Sequence, residues 1–186
     1  MFIQTEATPN PATLKFLPGS SVLGTGTADF PNRNTSTKSP LANRIFEINS
    51  VSAVFLGTDF ITVTKDDNTD WDHIKPSILG AIMEHYQSGK PAIVGETNES
   101  AHASHSGENS DIVIQIKELL DTRVRPAVAQ DGGDIVFHGF DSGVVYLHMQ
   151  GACAGCPSST LTLKMGIENL LRHYIPEVLE VRPVAT

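Results

Sequence analysis

Cysteine is almost absent from this chain: the 186 residues hold two. They are Cys153 and Cys156, and so close a pair excludes a structural disulfide framework. Cations are scarce as well. Thirteen Lys and Arg stand against 21 Asp and Glu, a formal net charge of −8. Most of the acidic excess falls after residue 95. A nucleic-acid partner asks for a basic patch, so that class is excluded. Long apolar runs are also lacking. None approaches the roughly 18 residues of a membrane-spanning helix, so no membrane partner is expected. The start, Met1-Phe-Ile-Gln-Thr-Glu6, has neither the basic and apolar regions of a signal peptide nor the arginines of a transit peptide. That predicts a cytoplasmic protein, with a processed organellar form in the mitochondrial matrix as the alternative. What remains is ordinary, with 40% hydrophobic residues, enough for one or two small cores.

The pattern along the chain predicts an α+β protein of two small α+β domains joined by a flexible linker. Residues 1–94 form the first. Leu14 and Phe16 alternate with Thr13 and Lys15, as in a half-buried strand. Residues 24–40 read as a short strand and a loop. Ser39-Pro40 is a helix start, with Leu41 and Ile45 inward. Val51–Leu56 and Phe60–Thr64 form a hairpin across Gly57-Thr-Asp59. Ile74, Ile78, Ile82 and Tyr86 recur at helical spacing, with Leu79 and Met83 widening the stripe. Pro91–Val94 is read as a last strand. Residues 95–109 contain no large apolar side chain and cannot offset their ordering entropy, so they are read as linker.

Residues 110–186 form the second domain. Ser110 caps a helix marked by Ile112, Ile116, Leu119 and Leu120, which Pro126 bends or ends. The turn Asp131-Gly-Gly-Asp134 needs backbone freedom. Ile135–Phe140 and Val144–Met149 form a second hairpin. A helix follows from about Ser158 to Tyr174. Leu161, Met165 and Arg172 share one row of it, and Leu163, Ile167, Leu170, Leu171 and Tyr174 are placed inward. Val178–Val184 closes the sheet at an edge.

Between that hairpin and that helix lies Gly151-Ala-Cys153-Ala-Gly-Cys156-Pro-Ser-Ser-Thr160. Both thiols can face one small object there, and the positive end of the helix favours thiolate. Four readings compete. A dithiol–disulfide oxidoreductase fits the spacing, but such proteins carry the motif in a parallel sheet, whereas here it follows a hairpin. A structural zinc site needs four ligands. His138, His148 and His173 are the remaining candidates of this domain, and none has the spacing of a second pair. His102 and His105 fall in the linker and read as solvated. Two inert buried cysteines are the third reading, though a loop with Gly151, Gly155 and Pro157 is a poor place to bury thiols. The fourth is an iron–sulfur cluster, which takes four thiolates. One chain supplies two, so that reading demands a dimer with the cluster on its two-fold axis. Spacing alone does not separate this from zinc bridged between chains.

Residues 111–184 resemble the NifU C-terminal-like (Nfu) domain. The likeness is carried by Arg125-Pro-Ala-Val-Ala-Gln-Asp-Gly-Gly-Asp134, by the cysteine loop, and by Gly166-Ile-Glu168. Residues 1–90 resemble the Nfu N-terminal domain, through Thr8-Pro-Asn-Pro-Ala-Thr-Leu-Lys-Phe16 and Gly57-Thr-Asp-Phe-Ile-Thr-Val63. The resemblance implies an iron–sulfur cluster scaffold and carrier, not an enzyme. It implies a labile [4Fe-4S] cluster, alternatively [2Fe-2S], bridged between two subunits of a homodimer. Cys153 and Cys156 carry over as the metal and cluster ligands. The implied partners are apo iron–sulfur client proteins and upstream assembly factors. The Asp131–Asp134 turn carries over as a signature with a structural role, and the N-terminal domain as a recognition module. No residue is assigned a catalytic role.

Overall fold

The computed structural model describes residues 1–95 and 110–184, with the backbone alone for Ser110 and Ser159. The residues read as linker from 96 onward lie outside the described residues. What is described forms two compact α+β units, one on each side of that gap.

The first unit is a five-stranded antiparallel sheet with two α-helices and a 3-10 helix, Arg33–Lys38. Strands β1 (Gln4–Ala7), β2 (Thr13–Leu17), β3 (Ala28–Phe30), β4 (Val51–Leu56) and β5 (Ile61–Lys65) pair in the order β1-β2-β5-β4-β3. Helices α1 (Pro40–Phe46) and α2 (Trp71–Ser88) complete it. Alternation in β2 places Phe16 in the core with Ile61, Val63, Val54 and Leu56. Ile74, Ile78 and Ile82 of α2 and Leu41 and Ile45 of α1 fill the same core. The Ser39 hydroxyl accepts from Ala42 N–H at 3.0 Å, which caps α1 as Ser-Pro predicts. Gly89 ends α2 in the left-handed region, φ 66°.

Two expectations fail here, and one strand was not foreseen. Residues 91–94 form no strand. Ala92 and Ile93 pack on the core, and their segment is hooked by bonds from the Ser39 hydroxyl to Ala92 O (2.6 Å) and from Val94 N–H to Lys38 O (2.7 Å). Strand β1 has no apolar alternation to announce it. It exists because β2 offers a free edge, with Thr5 opposite Phe16. Met83 is exposed, because α2 buries a narrower stripe than its apolar residues span.

The second unit comprises α3 (Ser110–Leu119), α4 (Arg125–Gln130), β6 (Gly133–Asp141), β7 (Val144–Gly151), α5 (Pro157–Tyr174) and β8 (Glu180–Pro183). A wider π-type turn over Leu120–Val124 joins α3 to α4. Pro126 therefore does not end the helical path. Its missing N–H falls at the start of α4, where the hydrogen-bond ladder is already interrupted. β6 and β7 are antiparallel and β8 lies parallel to β7, giving the order β6-β7-β8. The core joins Ile116, Leu120, Val124 and Val128 to Ile135, Phe137, Val145, Leu147 and Val181. Ile167 and Leu171 of α5 are buried in it, with Leu163 and Leu170 at its margin. Tyr174, read as inward, is exposed instead and lies against Arg123, whose guanidinium sits 5.4 Å from the ring.

Candidate cluster-binding site

Three elements converge on the cysteine loop. β7 ends at Gly151, which is paired with Gly133, the first residue of β6. The next N–H, that of Ala152, donates to Gly132 O at 3.1 Å. The Asp131–Asp134 turn is thus tied through its backbone to the loop. Gly132, at φ 82°, supplies the left-handed corner that starts β6. Inside the loop, Cys153 N–H donates to Gln150 O (3.3 Å) and Ala154 N–H to Gly151 O (3.1 Å). Thr160 Oγ1, one turn into α5, donates to Cys153 O at 3.1 Å. Cys156 is the N-cap of α5 and Pro157 its first residue, the favoured place for proline. Gly151, Gly155 and Pro157 shape the loop. The two glycines have φ of 62° and 79°.

The two thiols differ. Both are free. Cys156 is half-buried at the head of α5, its sulfur 3.4 Å from Ser158 Oγ. Cys153 is 6% exposed and belongs to the core with Ile135 and Met149. Burial, with the carboxylates of Asp131 and Asp134 nearby, pushes the Cys153 thiol up to about 12. The expectation that both thiols face one object as thiolates is therefore corrected for this conformation. Cys153 faces the core, where burial first and then the carboxylates of Asp131 and Asp134 disfavour the thiolate.

Sequence reasoning missed how the turn acts on Cys153. A Cβ on Gly133 would run into the Cys153 sulfur. Asp134, 3% exposed, takes a bidentate pair from Arg125: Nε to Oδ1 and Nη2 to Oδ2, both 2.8 Å. The Ile135 N–H also donates to Oδ1 at 2.8 Å. Arg125 reaches Asp121 as well, at 3.1 Å. The ion pair locks α4 onto the start of β6, and so fixes the wall behind Cys153. The motif Arg125…Asp134 held that signal, but a spacing of nine residues does not by itself announce a pair.

The arrangement separates the chemical readings. The motif follows an antiparallel hairpin, and Cys153 is a poor attacking thiol where it lies, since such thiols need a lowered pKa. Among the described residues no group of three or more His, Cys, Asp or Glu is placed to hold a metal ion. His138 is exposed on β6, His148 Nδ1 lies 3.5 Å from Val184 O, and His173 stacks edge-on against Tyr174. None joins the cysteines in a ligand set. Two soft sulfur donors in a glycine-bounded loop suit a thiophilic metal cargo, and the described part of one chain supplies only half of a four-thiolate set.

Comparison with known proteins decides the family. Residues 3–89 match the family model described as scaffold protein Nfu/NifU N terminal, and residues 116–182 match the NifU-like domain. The human protein named NFU1 iron-sulfur cluster scaffold homolog, mitochondrial, is 51% identical over 185 residues, covering 99% of this chain and 72% of that one. The chain belongs to the Nfu family of NifU-like proteins. Among other Nfu relatives, NifU-like protein 4, mitochondrial, of Arabidopsis thaliana is 54% identical over 181 residues, covering 96% of this chain and 64% of that protein. The Drosophila sechellia protein with the same description as the human one is 51% identical over 185 residues, covering 99% and 65%. The chain spans just under two thirds of the length of these plant and fly Nfu proteins.

Proposed function

We propose that this chain is a carrier of iron–sulfur clusters. Cys153 and Cys156 of two copies hold one labile [4Fe-4S] cluster between them and release it to apo-proteins. A [2Fe-2S] cluster would use the same four thiolates. The observation that carries the reading is the donor arithmetic. Two thiols share a loop at the head of α5, no third donor joins them among the described residues, and relatives with about half of the aligned residues identical are named iron–sulfur cluster scaffolds. A cluster is cargo here, taken up and passed on, and no catalytic turnover is involved. Taking it up requires Cys153 to leave its pocket, and Gly151 and Gly155 are the pivots for that movement.

The proposal assigns 110–186 to cluster binding, 95–109 to a linker, and 1–94 to recognition of clients or of upstream assembly factors. The relatives' names place them in mitochondria, so the mitochondrial matrix replaces the cytoplasm as the location we propose.

The test is anaerobic reconstitution with ferrous iron and sulfide, followed by metal and sulfide assay, optical spectrum and size-exclusion mass. About four irons and four sulfides per dimer are expected for a [4Fe-4S] cargo. Cys153→Ala and Cys156→Ala should each abolish loading and leave the far-ultraviolet circular dichroism unchanged. A single variant that retains a full cluster would overturn the assignment.

A further inference from the structure

Half a ligand set poses the question of what surface the other half arrives on. Cys156 opens onto a shallow concavity of about 430 Å³, walled by Gly155, Pro157, Thr160, Leu161, Lys164 and Pro183. Leu161 therefore shares one hollow with a thiol. One turn further along α5, Met165 continues the same face. Both side chains are 57% exposed, while Ile167 and Leu171 supply the buried face of the helix. The core does not use Leu161 or Met165.

The charges around them are compatible with self-association. Lys164 lies 3.7 Å from Glu180, and Arg172 lies 3.7 Å from Glu168. Glu180 is also paired with Arg182 at 3.0 Å, so the surroundings of the apolar pair carry both signs of charge, which two copies can set opposite one another across a two-fold axis. Thiolates that reach Cys156 through the hollow meet Leu161 on its wall.

We infer that Leu161 and Met165 are the contact face of the cluster-bridged pair. The occupant is a second copy of this chain, whose own Leu161 and Met165 meet them across the two-fold axis. This rests on the carrier reading above. A contact built on two side chains is far smaller than the ~1,200 Å² of a stable interface. Alone it does not hold the apo-protein as a dimer. It adds to the four thiolates when the cluster is present and comes apart when the cluster leaves.

The experiment compares the full chain with L161D/M165D and with L161M, each reconstituted anaerobically with ferrous iron and sulfide. Readouts are iron per chain, size-exclusion mass, and circular dichroism of the apo-protein. The double variant should keep the apo spectrum and lose at least tenfold in retained cluster and in dimer, while L161M matches the parent. A double variant that loads and dimerises like the parent overturns the inference and leaves the carrier reading standing. A double variant that loads and dimerises normally but delivers poorly to an apo-protein also overturns it, assigning the face to clients. A parent chain that takes up no cluster, or holds one as a monomer, ends both readings at once.

Discussion

Gly133 and Cys153 occupy one space: any side-chain carbon on the glycine would overlap the sulfur. Gly133 is not in the left-handed region, so the position demands room and not backbone freedom. The nearest other atoms are Gln150 O and Cys153 N, which are backbone and cannot step aside cheaply. Gly133→Ala should therefore expel Cys153 or distort the β6–β7 pair. The expected cost is about 1–3 kcal/mol, the usual scale of overpacking. Urea unfolding followed by circular dichroism reads it. An alanine variant with parental stability would mean that the loop already moves freely.

The thiols should also differ in reactivity. In the apo-protein Cys156 is accessible and Cys153 is 6% exposed. Iodoacetamide should modify Cys156 more than about tenfold faster at pH 8, since burial holds Cys153 as an unreactive thiol. Peptide mass spectrometry separates the two sites. Gly133→Ala should narrow the gap by raising the rate at Cys153. Equal rates in the parent would show that the buried placement of Cys153 is not the dominant state in solution.

The Arg125–Asp134 pair offers a third test. Arg125→Leu leaves a carboxylate at a 3% exposed position without its bidentate partner. Breaking one side of a buried pair costs about 3–5 kcal/mol, and removing both charges costs less. Arg125→Leu should thus lower the stability of residues 110–184 by about 3 kcal/mol, and adding Asp134→Asn should restore part of it. A double variant that is no more stable than the single one would deny the coupling.

His85 makes the first unit sensitive to acid. It is buried on α2, and burial, then the nearby Arg44 and Lys90, lower its pKa from 6.5. The unfolded chain then binds a proton at a pH where the folded one does not. Stability is complete above about pH 6.5 and is lost as the pH falls below it, toward the lower folded-state pKa. Trp71 is the only tryptophan and lies in this unit, so its fluorescence reports unfolding of this unit alone. The urea midpoint should fall between pH 7 and pH 5, and His85→Gln should flatten that slope. An unchanged slope in the variant would assign the effect to the carboxylates.

Elements whose side chains sort cleanly by period were legible in the sequence. Phe16, Ile61 and Val63 betray strands, and Ile74, Ile78 and Ile82 betray α2, because burial needs those repeats. Ser39-Pro40 betrays a helix start because two backbone groups need it. Polar β1 carried no such mark, since its register comes from its neighbour and not from burial. The cysteine loop was legible as to place and not as to posture. Spacing shows that two sulfurs are close along the chain. It does not show that Gly133, twenty residues upstream, leaves a hole into which one of them falls. Tyr174 misled because an aromatic ring at a helix end can lie along the surface against Arg123.

The parallel pairing of β7 with β8 sets a rule for how this site can vary. Neighbouring parallel strands oblige the chain to travel back the length of the sheet before it rejoins it, and here α5 makes that return journey. The thiol loop is the first bend of the return, and the arrival is checked at a fixed milestone, where Glu168 Oε2 accepts the Val181 N–H at 3.1 Å. An added residue between Gly151 and Pro157 would reset the starting point of the helix and turn Glu168 by about 100° away from that milestone. The length of the loop is therefore gauged beyond the middle of α5, by the backbone of β8.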